Sequence, residues 1–268
     1  MVSQDRRYPL ELDQTEVERY RTMAEAARQA ESDLWEPAGI VPGARVADVG
    51  CGPGAMLPAL SAAVGPQGRV TAVDADPEAV AAATALVAPA GLANVAVREG
   101  RAEETGLEAG SLDVVMLRHV LAHNGGAEDA IVAHLATLVR PGGCVYLVDA
   151  DGTAIRVIPE VEHPDLVELQ ERYLAFRAAR GDDNAAGLRL AERLVRAGLE
   201  LVEFCGRYVI RELSPGLRSP AWAAREAMLS AGVASAEDLW RWERAFEATA
   251  TRPATFYAPM FTAIGRRT

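Results

Sequence analysis

Cysteine is scarce: three residues, at 51, 144 and 205, with neither metal-ligand spacing nor the pattern of a disulfide framework. Positive charge is in deficit, 27 Lys and Arg against 38 Asp and Glu for a net −11, and no block of like charge gathers the excess. Both features disfavour a general nucleic-acid or anionic-membrane surface. The 19 residues from Ala79 to Val97 carry no charge. That run is mostly alanine and is broken by Pro89, Gly91 and Asn94, so it reads as a buried helix, a turn and a strand rather than a membrane span. The opening Met1-Val-Ser-Gln-Asp-Arg-Arg7 is polar, unlike an apolar signal segment. A reduced, cytoplasmic protein is expected.

What is present is enough for a large core. Half of the 268 residues are hydrophobic, which suits one large domain or a domain with an attached lobe. A helical pattern runs from about Asp13 to Trp35, with Val17, Tyr20, Ala24, Ala27 and Leu34 at helical spacing and a capping box between Asp13 and Glu16. Apolar runs at 45–49, 69–74, 95–100, 112–118 and 144–149 then alternate with alanine-rich or amphipathic helices at 55–64, 77–88 and 127–139. Strands flanked by helices, with few polar residues inside, indicate a parallel sheet covered on both faces. Beyond Asp151 come helices near 163–180 and 184–197, a strand near 199–211, a helical region at 221–249 and a strand near 259–266. Leu239, Trp242 and Phe246 are spaced for one helix face and read as a satellite core under that connection, ahead of a substrate cap.

The chemistry lies in Val46-Ala-Asp-Val-Gly-Cys-Gly-Pro-Gly-Ala55, a strand, three alternating glycines and a helix. Glycines 50, 52 and 54 permit turn dihedrals and close approach of a ligand to the main chain. The helix start supplies unpaired N–H groups, and ligands of open parallel sheets bind at the carboxyl ends of the strands. The same letters satisfy a dinucleotide fingerprint, with alanine as third glycine. Asp48 tilts the choice, because a carboxylate there would oppose a pyrophosphate but suit an ammonium group. The next strand ends in Asp74-Ala75-Asp76, where a carboxylate can accept two ribose hydroxyls.

The segment resembles motif I of the class I S-adenosylmethionine-dependent methyltransferases, and the resemblance extends over roughly residues 40 to 151. Asp74 matches the acidic residue after the second strand and Gly100-Arg-Ala-Glu103 the adenine-contacting turn. Arg118-His-Val-Leu-Ala-His123 matches the segment after the fourth strand, and Leu138-Val-Arg-Pro-Gly-Gly143 the turn before the fifth. The resemblance implies an α/β fold: a Rossmann-like, mostly parallel seven-stranded sheet with helices on both faces, an antiparallel last strand and extra helices as a lid. It divides the chain into an N-terminal helical lid (1–38), a cofactor-binding core (39–151) and a completion of the sheet with substrate-side helices (152–268).

The cofactor implied is S-adenosyl-L-methionine. Its candidate contacts are Tyr20, Asp48, Gly50, Cys51, Gly52, Gly54, Asp74, Ala75, Asp76, Arg101, Ala102, Glu103, Arg118 and His123. Where many members have an aspartate for the adenine amino group this chain has Arg101, which would use its backbone or stack its guanidinium, or give the role to Glu103, leaving adenine mainly to main-chain groups near Ala102 and to apolar walls. Cys51 is most simply a small residue that fits the turn. Tyr8 and Tyr20 would belong to a lid whose aromatic faces attract a sulfonium, with core packing an equal alternative for Tyr20.

Candidate general bases are His123, His119 and Asp151, at the carboxyl ends of the fourth and fifth strands; the histidines would share a face if a helical turn spans them. The plainer alternatives are ordering of the cofactor loop by His123, structural packing of His119 and a turn cap at Asp151. No metal is expected. The resulting reading is methyl transfer to an O, N or activated C of a small molecule. A protein substrate, a non-catalytic cofactor-binding regulatory or assembly role, and a nicotinamide dehydrogenase are the alternatives, with neither nucleic acid nor membrane as partner and a homodimer through the helical flanks left open.

Overall fold

The structure is a computed structural model and describes residues 14–213 and 218–268, with residues 14–23 and 26 described by backbone alone. Asp13 of the expected capping box and Tyr8 therefore lie outside the described residues. The first half runs α1 (Gln14–Ala38), β1 (Arg45–Val49), α2 (Leu57–Val64), β2 (Arg69–Asp74), α3 (Pro77–Val87), β3 (Val95–Glu99), β4 (Leu112–Arg118), α4 (Glu128–Leu138) and β5 (Val139–Ala150). The second runs β6 (Arg156–Ile158), α5 (Pro164–Ala179), α6 (Leu190–Arg196), β7 (Glu200–Glu212), α7 (Pro220–Ala223), α8 (Arg225–Ser230), α9 (Ala236–Thr249) and β8 (Thr255–Arg266).

The strands form one sheet, ordered β3-β2-β1-β4-β5-β8 with β7 beyond β8. Strands β1 to β5 are parallel, and β8 runs antiparallel to β5, β6 and β7. There are eight strands, one more than the sequence suggests. The addition is β6, which after a one-turn helix at Gly152–Ala154 pairs with the amino-terminal part of the β8 edge whose remainder holds β5. Three residues are too few to show a periodicity, so β6 is visible only in its pairing.

Helices cover both faces, which is why the central strands read as unbroken apolar runs. One face packs Val46, Val70, Val114, Met116 and Tyr146 with Leu34 and Trp35 of α1 and Leu57 and Leu60 of α2. The other packs Val49, Val115, Leu117, Val145 and Leu147 with Ile131 and Leu135 of α4 and Leu190 and Leu194 of α6. A third cluster stands apart: Leu166, Leu169, Tyr173 and Phe176 of α5 against Met228 of α8 and Trp242 and Phe246 of α9. This is the satellite core that the spacing of Trp242 and Phe246 suggests.

Candidate functional site

The glycine turn is held by the main chain. Val73 O accepts from Gly50 N (2.7 Å) and Cys51 N (3.1 Å). Gly50, Gly52 and Gly54 all have left-handed φ, at 71°, 54° and 83°. A Cβ at Gly50 would sit 2.2 Å from Val120 Cγ2, and one at Gly54 would sit 2.9 Å from Leu57 Cδ1. A side chain at either position is thus excluded by both dihedral and space.

Asp74 joins this turn to the next. Its Oδ2 accepts the Gly52 N–H at 2.7 Å and its Oδ1 the Asp76 N–H at 3.0 Å. Each carboxylate oxygen has a second lone pair, so acceptor capacity for a diol remains. Burial pushes the Asp74 carboxyl up, opposed by the bonds from the Asp76 and Gly52 amides. Asp76 also caps α3, accepting from Glu78 N at 2.9 Å, and Ala75 lies between the two carboxylates.

Gly100 N donates to Asp74 O at 2.9 Å, which places the turn after β3 beside this cluster. Arg101 there is turned to solvent and bonded to Glu103 (2.6 Å), so two of the predicted side chains satisfy each other. Ala102 packs on the second core with Leu107 and Val120. A residue absent from the sequence reading braces this turn: His134 of α4, whose Nε2 lies 3.1 Å from Thr105 N and 2.9 Å from Thr105 Oγ1. Burial pushes the His134 pKa down, which preserves the unprotonated nitrogen that accepts the Thr105 N–H. Twenty-nine residues separate the pair, and nothing local in the sequence marks it.

Under the glycine turn lies a polar group that spans two elements. Asp48 is buried, and loss of solvent pushes its carboxyl up to about 7 despite the nearby Arg118 charge. Arg118 makes a 2.6 Å ion pair with Glu31 of α1, the two side chains being 9% and 8% exposed. Tyr146 donates its hydroxyl to the same Glu31 oxygen at 3.0 Å. Arg118, a predicted cofactor contact, is therefore engaged in anchoring α1 to the sheet. Tyr20 lies on α1, with its side chain outside the described residues. Cys51 is buried and its thiol is pushed up by burial, which leaves it a packed small residue rather than a nucleophile.

The candidate bases follow β4 and β5. His119 has φ 57° and donates its N–H to Val148 O at 2.9 Å. A 3-10 turn then covers only Leu121–His123. No helical turn spans 119–123, so the expected shared face of the two histidines does not form. Asp149, buried, accepts from Ala122 N at 3.0 Å and Ala150 N at 2.9 Å, with burial raising its pKa. Arg177 of α5 donates to Ala122 O at 2.9 Å and to Asp182 at 3.1 Å. His123 Nδ1 stands 3.4 Å from Arg177 and 3.7 Å from Asp182. Burial works to raise Asp182, yet the nearby His123 and the bond from Arg177 hold it below the usual carboxylate range. Asp151 accepts both the Thr153 N–H (3.0 Å) and the Thr153 hydroxyl (2.6 Å), the turn-cap arrangement.

Among the described residues no group of three or more His, Cys, Asp and Glu is placed to hold a metal. Two surface concavities of about 440 and 480 Å³ lie at the other end of the strands, around Gly43 and Arg140 and around Gly68 and Asn94. Neither contains a residue of the glycine-turn cluster.

Comparison with known proteins bears on this arrangement. A methyltransferase domain family matches residues 46–143. The chain is 37% identical over 135 residues to nocamycin O-methyltransferase of Saccharothrix syringae, covering 50% of this chain and 45% of that one. It is 34% identical over 176 residues to the ubiquinone biosynthesis O-methyltransferase of Xanthomonas axonopodis pv. citri, covering 64% and 67%. The chain spans less than half the length of the first curated relatives it matches. Among solved structures, a putative methyltransferase from Bacillus halodurans superposes with TM-score 0.58 at 18% identity, over 88% of this chain and 97% of that one. At such identity the likeness concerns the fold.

Proposed function

Since the chain belongs to the class I S-adenosylmethionine-dependent methyltransferases, we propose that it is an active enzyme that methylates a small molecule. Relatives named as O-methyltransferases of small molecules favour a hydroxyl acceptor. The carrying observation is the joint made by Asp74 between the turn after β1 and the turn after β2. It sets a half-buried carboxylate beside a turn whose Gly50 and Gly54 admit no side chain, and that is a cradle for a nucleoside carrying a vicinal diol.

S-adenosylmethionine supplies an electrophilic sulfonium methyl. The residues present fit it. Asp74 would take the ribose hydroxyls, the turn from Gly50 to Gly54 would follow the chain of the ligand, and buried Asp48 would face its ammonium end. The apolar wall at Ala102 would take the adenine. Residues 39–151 would act as the cofactor core, 1–38 as a lid anchored by Glu31, and 152–268 as the substrate side.

Holding the acceptor in line at about 3–3.5 Å can supply roughly 7–11 kcal/mol of the barrier. A positioned base adds about 10²–10⁴ in rate. His123 is the candidate for that proton, oriented by Arg177 and Asp182. Asp151 serves as a cap.

Thermal denaturation with S-adenosylhomocysteine and with NAD tests the reading, because a ligand at a hundred times its dissociation constant adds about 2.7 kcal/mol. A shift with the former is expected, and Asp74→Ala and Gly52→Val should each remove it. Stabilisation by NAD alone would overturn the proposal. His123→Ala should lower turnover while keeping the shift, and unchanged turnover would remove the base.

A further inference from the structure

The outer edge of the sheet points to a second copy of this chain. Among the described strands β7 is bonded to β8 alone. From Glu203 to Glu212 it runs in unbroken register with β8, after a bulge at Leu201/Glu203. Its far edge thus offers ten residues of regular extended backbone. One face of this stretch lies under α1, where Arg207 bonds Asp33 at 2.9 and 2.6 Å. The other is apolar and open: Phe204 stacks on Phe261 with ring centroids 5.9 Å apart, while Tyr208 is 65% and Ile210 60% exposed.

A long edge with exposed apolar side chains is a template for strand pairing, which charges on the edge oppose unless the incoming strand sets the opposite charge against them. This edge carries charges of both signs, placed symmetrically. Two copies related by a twofold axis normal to the sheet pair antiparallel, with residues of equal offset from the axis opposite one another. The regular stretch centres the axis at Arg207. Glu203 then faces the partner's Arg211, Phe204 the partner's Ile210, Cys205 the partner's Val209 and Gly206 the partner's Tyr208, each pair occurring twice. Arg207 faces its own copy, and each guanidinium is already neutralised by Asp33 of its own chain. Moving the axis by one residue to Gly206 sets Glu203 against Val209, and moving it to Tyr208 sets Phe204 against Glu212. Of these three axes, the one at Arg207 sets opposite charges and apolar residues against each other together.

We propose that the chain forms a homodimer by antiparallel pairing of β7 with β7 about Arg207, extending the sheet across both copies. The site at the carboxyl ends of β1 and β2 lies on other strands, so this proposal stands independently of the enzymatic one.

Sedimentation equilibrium on the full chain, with far-ultraviolet circular dichroism as the folding control, provides the test. The native chain should sediment as a dimer. Glu203→Arg, which places like charges opposite each other twice, should raise the dissociation constant about tenfold or more, and Ile210→Lys should do the same. The double variant Glu203→Arg with Arg211→Glu should regain native affinity. Val209→Cys should cross-link to Cys205 of the second copy on oxidation. A native chain that stays monomeric, a dimer indifferent to Ile210→Lys, or a double charge reversal that fails to restore pairing would each overturn it.

Discussion

Asp48 carries two opposed demands. Its carboxyl is buried, and burial lifts its pKa from an ordinary 3.8 to about 7. The native state therefore binds a proton that the unfolded state has released between these values, so stability falls as pH rises through that window. A cationic ligand group beside it would favour the charged form and reverse the penalty. Asp48→Asn is accordingly expected to stabilise the free protein above the raised pKa by about 1–3 kcal/mol, with little effect in acid, and to weaken S-adenosylhomocysteine binding. Urea melts on either side of neutrality, with and without ligand, check both halves. No gain in stability at alkaline pH would mean that the carboxylate is already satisfied by Arg118. This residue also marks a limit of local reading: its place before the glycines is evident in the sequence, whereas its burial follows from the packing of α1 and α2 on that face of the sheet.

Among elements, α1 is where pattern and packing part company. Its helical spacing is plain, and Leu34 and Trp35 pack into the first core as an amphipathic face should. One buried tie to the sheet is the ion pair between Glu31 and Arg118, 87 residues apart. Arg118 reads in sequence as a residue at the mouth of the site. Only the fold shows it turned toward α1, since a charged side chain looks the same in sequence whether it is solvated or paired. Breaking a buried pair leaves an uncompensated charge, so Glu31→Ala should cost about 3–5 kcal/mol and expose α1 to limited proteolysis. Replacing Glu31 and Arg118 together with methionines should recover most of that loss, as apolar substitutes for buried pairs do. A Glu31→Ala chain as stable as the native one would show that the pair does not anchor the helix.

At the scale of the whole molecule, two cores serve the sheet and a third lies among α5, α8 and α9. Trp242 is fully buried in the third. Trp242→Ala should therefore cost about 3–5 kcal/mol in α5, α8 and α9 while leaving the S-adenosylhomocysteine shift intact, because no residue of the glycine-turn cluster belongs to that core. Calorimetry with and without ligand reads both effects. Loss of ligand stabilisation in this variant would mean that the helices and the sheet unfold as one unit.

The parallel sheet, the glycine turn and the carboxylate that ends β2 were all determined by the sequence itself. Strand alternation, helical spacing and the dihedrals of Gly50, Gly52 and Gly54 are properties of neighbouring residues, and such signals survive without a fold. Tertiary structure decided the rest: the eighth strand, the left-handed backbone of His119 ahead of the short turn at His123, the brace from His134 to Thr105, the duty of Arg118 and the open edge of β7. Each depends on which distant residues meet. A three-residue strand, a lone histidine or one arginine among many acquires its role only when the chain closes around it, through loss of solvent and the demand of buried polar groups for partners.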